Sequence, residues 1–432
     1  MSALARLYAL NPSAQTRTAL LEFARTHSGA EGGLALLAVG AQEARYGRAI
    51  DAVPIVRSAQ ARLPKLADYT AYLLSHASYG AGDFESAASA AESVASFSPP
   101  SPMSGASAAI GARAYLRSGA AARAITILKR SYDDLAQPQG DALLASAYEA
   151  AGDLINAVAH HQRVWLNFPA SAEAKESEAA LARLRLQLGP RYAAPRPEAL
   201  LDRAGKLLDA REFIRARAAF EQLSGPAPGL VSELAAVRVG VADYRSRKEA
   251  IALGYLQALR VKEPEANAER LYYVGAVARR LNKTEAADAA VAELDRSAPK
   301  SEWRLRALVA AGDDAAIDRP QFAETMFRAC YTDFGDAPQA PYCHWKAIFQ
   351  AYLENRSGWT ELFVQHAARY PESDKASAAL YFLGRAAERG SRWADARAYY
   401  DQVDRRYPNY YYAVLARSRR ADQISVRNRH RA

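Results

Sequence analysis

The sequence predicts an all-α solenoid of stacked helical hairpins, open or closed into a ring, on three observations. Apolar residues recur at helical spacing through nearly the whole chain. The same small and large residues return in the same order about every 34 residues, the signature of a repeat array. No segment shows the period-two alternation of a strand, and β-branched residues are few beside Ala, Leu and Arg. The clearest copy is LYFLGRAAERGSRWADARAYYDQVDRRYP, from Leu380 to Pro408. Leu380, Leu383, Gly384 and Ala387 fall on one face of a first helix, and Trp393, Ala396, Tyr400 and Val403 on one face of a second. Gly384 and Ala396 are small where the two helices must approach each other. Pro408 ends the second helix, because proline has no N–H to donate and restricts the residue before it.

Taken from the N-terminus, the register returns first at Val39, Gly40, Ala52, Val56 and Pro64, which match Leu383, Gly384, Ala396, Tyr400 and Pro408. The next unit carries Leu74, Ala87, Ala91, Val94 and Pro99, with a Gly82-Asp83-Phe84 turn between its helices. A looser unit with Tyr115, Gly119, Ala124 and Leu128 follows. Leu144, Tyr148, Gly152, Asp153, Leu154, Ala157, Val164 and Pro169 form another clear copy. A longer helix from about Glu173 to Leu188 ends at Gly189-Pro190, where the proline-rich stretch 190–199 reads as a joint. Beyond it come Leu200, Leu207, Phe213, Ala216, Phe220 and Leu223, a Gly-Pro-Ala-Pro-Gly loop, and a degenerate pair through Tyr244 and Tyr255. Leu271, Val274, Gly275, Ala287, Val291, Leu294 and Pro299 make a clean copy. The pairs around Phe322, Phe327 and Trp345, and around Phe349, Leu353, Trp359 and Leu362, are irregular. This spacing resembles the tetratricopeptide repeat, and its period allows roughly ten to twelve helix pairs. The expected organisation is N-terminal repeats over 1–189, the joint at 190–199, C-terminal repeats over 200–416 and a basic, solvated, frayed tail over 417–432.

With 432 residues, 50% of them hydrophobic and 24% charged, the chain is expected to be a soluble folded protein with an extensive core. No run of about 18 apolar residues offers a membrane span. The opening MSALARLYALNPSAQTRTALLEF has Arg6 inside its only apolar patch, so no secretory signal is read there. Cys330 and Cys343 provide neither a disulfide framework nor metal spacing. They read as two buried thiols, able to pair only if neighbouring helices bring them together. The net charge of +9 favours acidic partners, but nothing concentrates it into a nucleic-acid motif, and no nucleic-acid partner is expected.

First helices of such an array line its groove. Tyr72, Tyr272 and Tyr381 occupy the same position in three separated repeats. Tyr69, His76 and Tyr79, then Arg279 and Arg280, then Arg385 and Arg389 lie at other groove-facing positions. Rings and guanidinium groups in this pattern can stack on sugar faces and hold carboxylates bidentately. Equally, the tyrosines can pack against a neighbouring helix with only the hydroxyl wet. Metalloprotease, hydrolase, phosphate-loop and dinucleotide motifs are absent, and no cofactor or metal is expected. His160-His161 have no Cys, Asp or Glu at a partner spacing and read as two unconnected histidines. Glu176 and Glu178 read as part of a charged helix face.

Three segments carry a more particular resemblance. LPKLADYTAYLLSHASYGAGDF (Leu63–Phe84), QGDALLASAYEAAGDLINAVAHHQRVWLNFP (ending at Pro169) and RRYPNYYYAVLARSR (Arg405–Arg419) are similar to the superhelical, non-catalytic region of soluble lytic murein transglycosylases. The resemblance implies a periplasmic scaffold that orients a lysozyme-like domain on peptidoglycan glycan strands. In that family one glutamic acid, in a Glu-Ser motif followed by Gly-Leu-Met-Gln, cleaves the glycan. Neither motif follows Arg419, and Glu176-Ser177 is a lone dipeptide inside the array. The isolated chain is therefore expected not to cut peptidoglycan, and a chain or gene model that has lost both ends would fit the resemblance. The alternative is a self-sufficient adaptor that binds a protein or peptide segment in its groove, in the cytoplasm or the periplasm. The sequence leaves oligomeric state open.

Overall fold

The computed structural model describes residues 2–46, 48–225 and 229–429, with side chains described to Ala421. Every regular element among them is helical. The chain divides into two compact units, Met1–Arg215 and Ala216–Ala432. The first contains α1 (Ser2–Leu10), α2 (Ala14–Thr26), α3 (Ala30–Arg45), α4 (Ala49–Arg62), α5 (Ala67–Gly80), α6 (Phe84–Val94), α7 (Ser104–Arg117), α8 (Ala121–Arg130), α9 (Gln139–Ala150), α10 (Leu154–Asn167), α11 (Ala172–Leu188) and α12 (Pro197–Asp209). The boundary falls within α13 (Phe213–Leu223). The second contains α14 (Leu230–Arg245), α15 (Glu249–Ala258), α16 (Pro264–Arg280), α17 (Thr284–Ser297), α18 (Glu302–Ala315), α19 (Pro320–Asp333), α20 (Ala340–Leu353), α21 (Trp359–Arg369), α22 (Asp374–Arg389), α23 (Trp393–Arg406) and α24 (Tyr411–Arg429). The fold is an all-α, tetratricopeptide-like solenoid of helical hairpins. The proline-rich stretch 190–199 lies inside the first unit.

Many of the hairpins are closed by a sharp turn, by a close approach of their two helices, or by both. Gly82, Gly119 and Gly152 take φ of 82°, 74° and 79°, the left-handed region that costs glycine no steric penalty. Asp83 and Asp153 then cap the second helices, accepting the N–H of Ser86 at 3.0 Å and of Asn156 at 3.2 Å. At the matching turns Arg211, Arg247, Asn282, Asn355 and Ser391 adopt φ between 49° and 63° without being glycine. A methyl group added to Gly40, Gly111, Gly240, Gly312 or Gly384 would overlap the side chain of Val56, Ile127, Leu256, Phe327 or Tyr400, respectively. All five of those partners are fully buried. The glycines thus set the interhelical distance, and the large residue on the second helix fills the space they leave.

Neighbouring repeats are fastened to each other by ion pairs one repeat apart in sequence. Arg123–Glu92 (3.3 Å), Arg183–Glu149 (2.7 Å), Arg238–Glu269 (3.0 Å), Arg280–Glu249 (3.0 Å), Arg319–Asp288 (2.6 Å) and Arg356–Glu324 (2.7 Å) all follow this pattern. Glu269 is buried, so its bidentate pairing with Arg238 satisfies a carboxylate that water cannot reach.

Three sequence expectations are corrected by packing. Cys330 on α19 and Cys343 on α20 are not free thiols but a disulfide, with Cα atoms 6.1 Å apart. The two helices run back to back, and both cysteines fall on the facing surfaces. Replacing both by alanine is expected to lower stability by about 2–3 kcal/mol, the range for a loop this short. The check is the urea midpoint of the oxidised wild type against the double variant.

His160 and His161 are not unconnected. Their acidic partners come from another helix rather than from spacing along their own. His160 Nδ1 lies 2.7 Å from Asp141 Oδ1, and His161 Nε2 lies 2.7 Å from Glu149 Oε1, both acids being on α9. Ser177 on α11 meets the other nitrogen of His161 at 3.1 Å. Ser177 and His161 are buried, so this chain of hydrogen bonds ties three helices together rather than facing a substrate.

The segment expected to fray after residue 416 continues as α24 to Arg429. Arg417 pairs with Asp404 at 2.6 Å, and Arg420 with Asp401 at 2.9 Å and Asp404 at 3.1 Å, because two aspartates on α23 face it. Arg431 and the side chains of Arg427 and Arg429 lie outside the described residues.

Candidate functional site

The residues singled out from the sequence fall into three places. In the first unit, Tyr69 and Tyr72 on α5 are half-buried against the core, with ring centroids 6.3 Å apart. His76 is exposed on the same helix, and Tyr79 packs against Phe84 at 5.6 Å. On α22, Tyr381 is buried between Tyr400 (5.8 Å) and Tyr412 (5.3 Å). Its hydroxyl accepts from Arg385 at 3.5 Å, and Arg385 also pairs with Glu388 at 3.1 Å. Arg389 is exposed.

The third place gathers the most chemistry. The first helices α14, α16 and α18 pack side by side in the second unit. Across them run four rings. Tyr244 of α14 meets Tyr273 of α16 at 6.3 Å; Tyr272 and Tyr273 both meet Trp303 of α18, at 5.2 and 5.8 Å. The contacts are tilted or edge-on, the arrangements favoured by ring quadrupoles. Trp303 and Tyr272 are only partly buried and rest on a core that includes Leu271, Leu305 and Leu308. Arg306 lies over the Trp303 ring at 4.8 Å from its centroid. Burial, then the nearby Glu269 charge, pushes the Tyr273 hydroxyl up to about 12, so that ring stays neutral and acts as a stacking surface.

Arg279 and Arg280 end α16 but differ in their surroundings. Arg280 is exposed and paired with Glu249. Arg279 is partly buried, and its Nη1 is fully enclosed without a protein acceptor. Burial lowers its pKa from the ordinary guanidinium range, while the more distant Asp314 acts in the opposite direction.

Sequence reasoning located Tyr272, Arg279 and Arg280 but missed Tyr244, Tyr273 and Trp303. Trp303 follows Tyr272 by about one repeat length, so an aromatic offset by a full period was the available signal. Tyr72, Tyr272 and Tyr381 hold equivalent register positions in α5, α16 and α22, the first in one compact unit and the other two in the second.

The chain is similar to a solved structure titled "Crystal Structure of P58(IPK) TPR Domain at 2.5 A". The identity is 13%, covering 83% of this chain and 99% of that one, with a TM-score of 0.26. No protein-family model matches the chain, and no curated protein matches it.

Proposed function

We propose that this chain is a tetratricopeptide-like binding scaffold that holds an extended protein or peptide segment against the first helices of its second unit. The observation that carries this reading is the row of Tyr244, Tyr273, Tyr272 and Trp303 across α14, α16 and α18. Partly exposed rings, fixed on rigid helices and backed by a packed core, offer contact area at little entropic cost. Stacked repeats present such a row as a continuous surface. Substituting Trp303 and Tyr272 together by alanine is expected to weaken capture of acidic and apolar peptides from an immobilised peptide array at least tenfold, about 1.4 kcal/mol. Unchanged array signals from a variant of wild-type helicity would count against the reading.

A second reading places the scaffold on peptidoglycan outside the cytoplasm, as the resemblance to the superhelical region of lytic transglycosylases implies. The buried Cys330–Cys343 disulfide favours it, since such bonds persist in oxidising compartments. A basic chain suits an anionic wall, and tyrosine and tryptophan rings stack on sugars. Co-sedimentation with purified sacculi, compared with the peptide array, separates the two readings. Release of anhydro-muropeptides by the isolated chain would show that it carries its own catalytic site.

A further inference from the structure

Arg279 stands apart from the cations around it. On its own helix, Arg270 is held by Asn267 Oδ1 at 3.0 and 2.9 Å and by the Leu256 carbonyl at 3.1 Å, and Arg280 is held by Glu249. On α18, Arg304 is held by Asp295 and Asp333, and Arg306 by Glu302. Among the described residues no acceptor lies within hydrogen-bond or ion-pair reach of Arg279. Asp288, one of the acids on its side, is already engaged by both terminal nitrogens of Arg319, at 2.6 and 3.3 Å. Asp314 is exposed and lies beyond the 4.0 Å limit of an ion pair.

Its placement is nevertheless built in. Gly275, one turn earlier, holds the register position at which five other glycines admit a large residue from the second helix. At Gly275 an added methyl would meet Arg279 Nη1 at 3.4 Å, the small Ala290 at 3.5 Å and the Ala287 carbonyl oxygen at 3.7 Å, none of them an overlap. Val291, the counterpart of those large residues, is buried in the core here, and the Arg279 guanidinium lies against Gly275 beside it. Tyr272 and Arg279 are seven residues apart on α16, two helical turns, and therefore share a face. A partly buried charge with no counter-charge destabilises the folded chain. Such a cost is characteristic of positions kept for function.

We infer that Arg279 is the anion-recognising position of this surface and takes a carboxylate of the bound peptide two helical turns along α16 from the Tyr272 ring. The inference rests on the peptide-scaffold reading above. A guanidinium binds a carboxylate through two parallel N–H···O bonds, and partial exclusion of water strengthens them.

The test uses the full chain and two fluorescein-labelled 12-residue peptides, one alternating Glu with Leu and the other Gln with Leu, read by fluorescence anisotropy. The acidic peptide is expected to bind at least tenfold more tightly. Arg279→Gln is expected to remove most of that preference while leaving the neutral peptide's affinity within twofold, and Arg279→Lys to restore part of it. Arg279→Met, which keeps the apolar stem, is expected to hold or raise the thermal midpoint. If both peptides bind wild type equally and Arg279→Gln changes neither, the carboxylate assignment fails while the groove stands. If neither peptide binds, the scaffold reading fails with it. A marked fall in the midpoint of Arg279→Met would make the guanidinium a structural group and overturn the inference.

Discussion

Lowering the pH from 7 to 4.5 is expected to cost the second unit about 4–5 kcal/mol of stability through two histidines alone. His344 on α20 and His366 on α21 are buried, stacked, and joined Nδ1 to Nδ1 at 3.0 Å. One neutral imidazole donates and the other accepts, so protonating both would set two N–H groups against each other. Burial first, then the Arg369 and Arg328 charges, pushes His344 down to about 4. Burial and then His344 itself push His366 down to about 3, with Asp374 opposing weakly. The phenol rings of Tyr331 and Tyr370 pack against the pair.

Both pKa values lie below the unfolded value near 6.5, so the unfolded chain binds more protons in between. The stabilisation is complete above pH 6.5 and is lost as pH falls, at about 1.4 kcal/mol per pH unit for each histidine. Trp345 lies 5.5 Å from the His366 ring and reports on this region. The urea midpoint followed by tryptophan fluorescence should fall steeply between pH 6.5 and 4.5, a window above most carboxylate titrations. In His366→Phe the slope should fall to about half. Equal wild-type midpoints at pH 7 and 4.5 would refute the argument.

Gly384→Val is expected to destabilise the chain by about 3 kcal/mol or more, at the upper end of overpacking costs. Any β-carbon on Gly384 overlaps the Tyr400 ring, which is buried and enclosed by Tyr381 on another side. Neither helix can retreat without opening the core that Leu383, Ala396 and Val403 share. Two comparisons isolate the clash. Gly275→Ala meets no such overlap and gains helix propensity, so it should be neutral or stabilising by up to about 1 kcal/mol. Tyr400→Leu placed in the Gly384→Val background should recover part of the loss, giving a coupling that independent sites do not show. An additive double variant would mean that the two positions do not share one space.

The same contact explains why the architecture was legible. Small residues at Gly40, Gly275 and Gly384 and large ones such as Val56 and Tyr400 write the helix approach directly into the sequence. The turns were legible only where glycine supplies the left-handed residue. At Arg247 and Ser391 packing imposes that conformation on residue types that rarely adopt it, whereas Asn282 and Asn355 belong to a type that visits it more readily. Tyr272 and Arg279 followed from register. Tyr244 and Trp303 did not, because they sit at the end and start of their helices, outside the core pattern. Partners drawn from other helices, such as Asp141 for His160 and Cys343 for Cys330, depend on how hairpins stack, which a single helix's spacing does not contain.

The ion pairs that span 31 to 34 residues bear on how such a chain can change in length. Adding or deleting one whole period keeps each hairpin's small residue opposite its own large one, but an ion pair that spans the period keeps its mate only where the adjoining repeat offers the same residue type. Inserting half a period separates an arginine from its acid and breaks the small-to-large contact of the hairpin at the seam. Growth by whole modules thus preserves the packing within each hairpin, and growth by fragments is penalised at the seam.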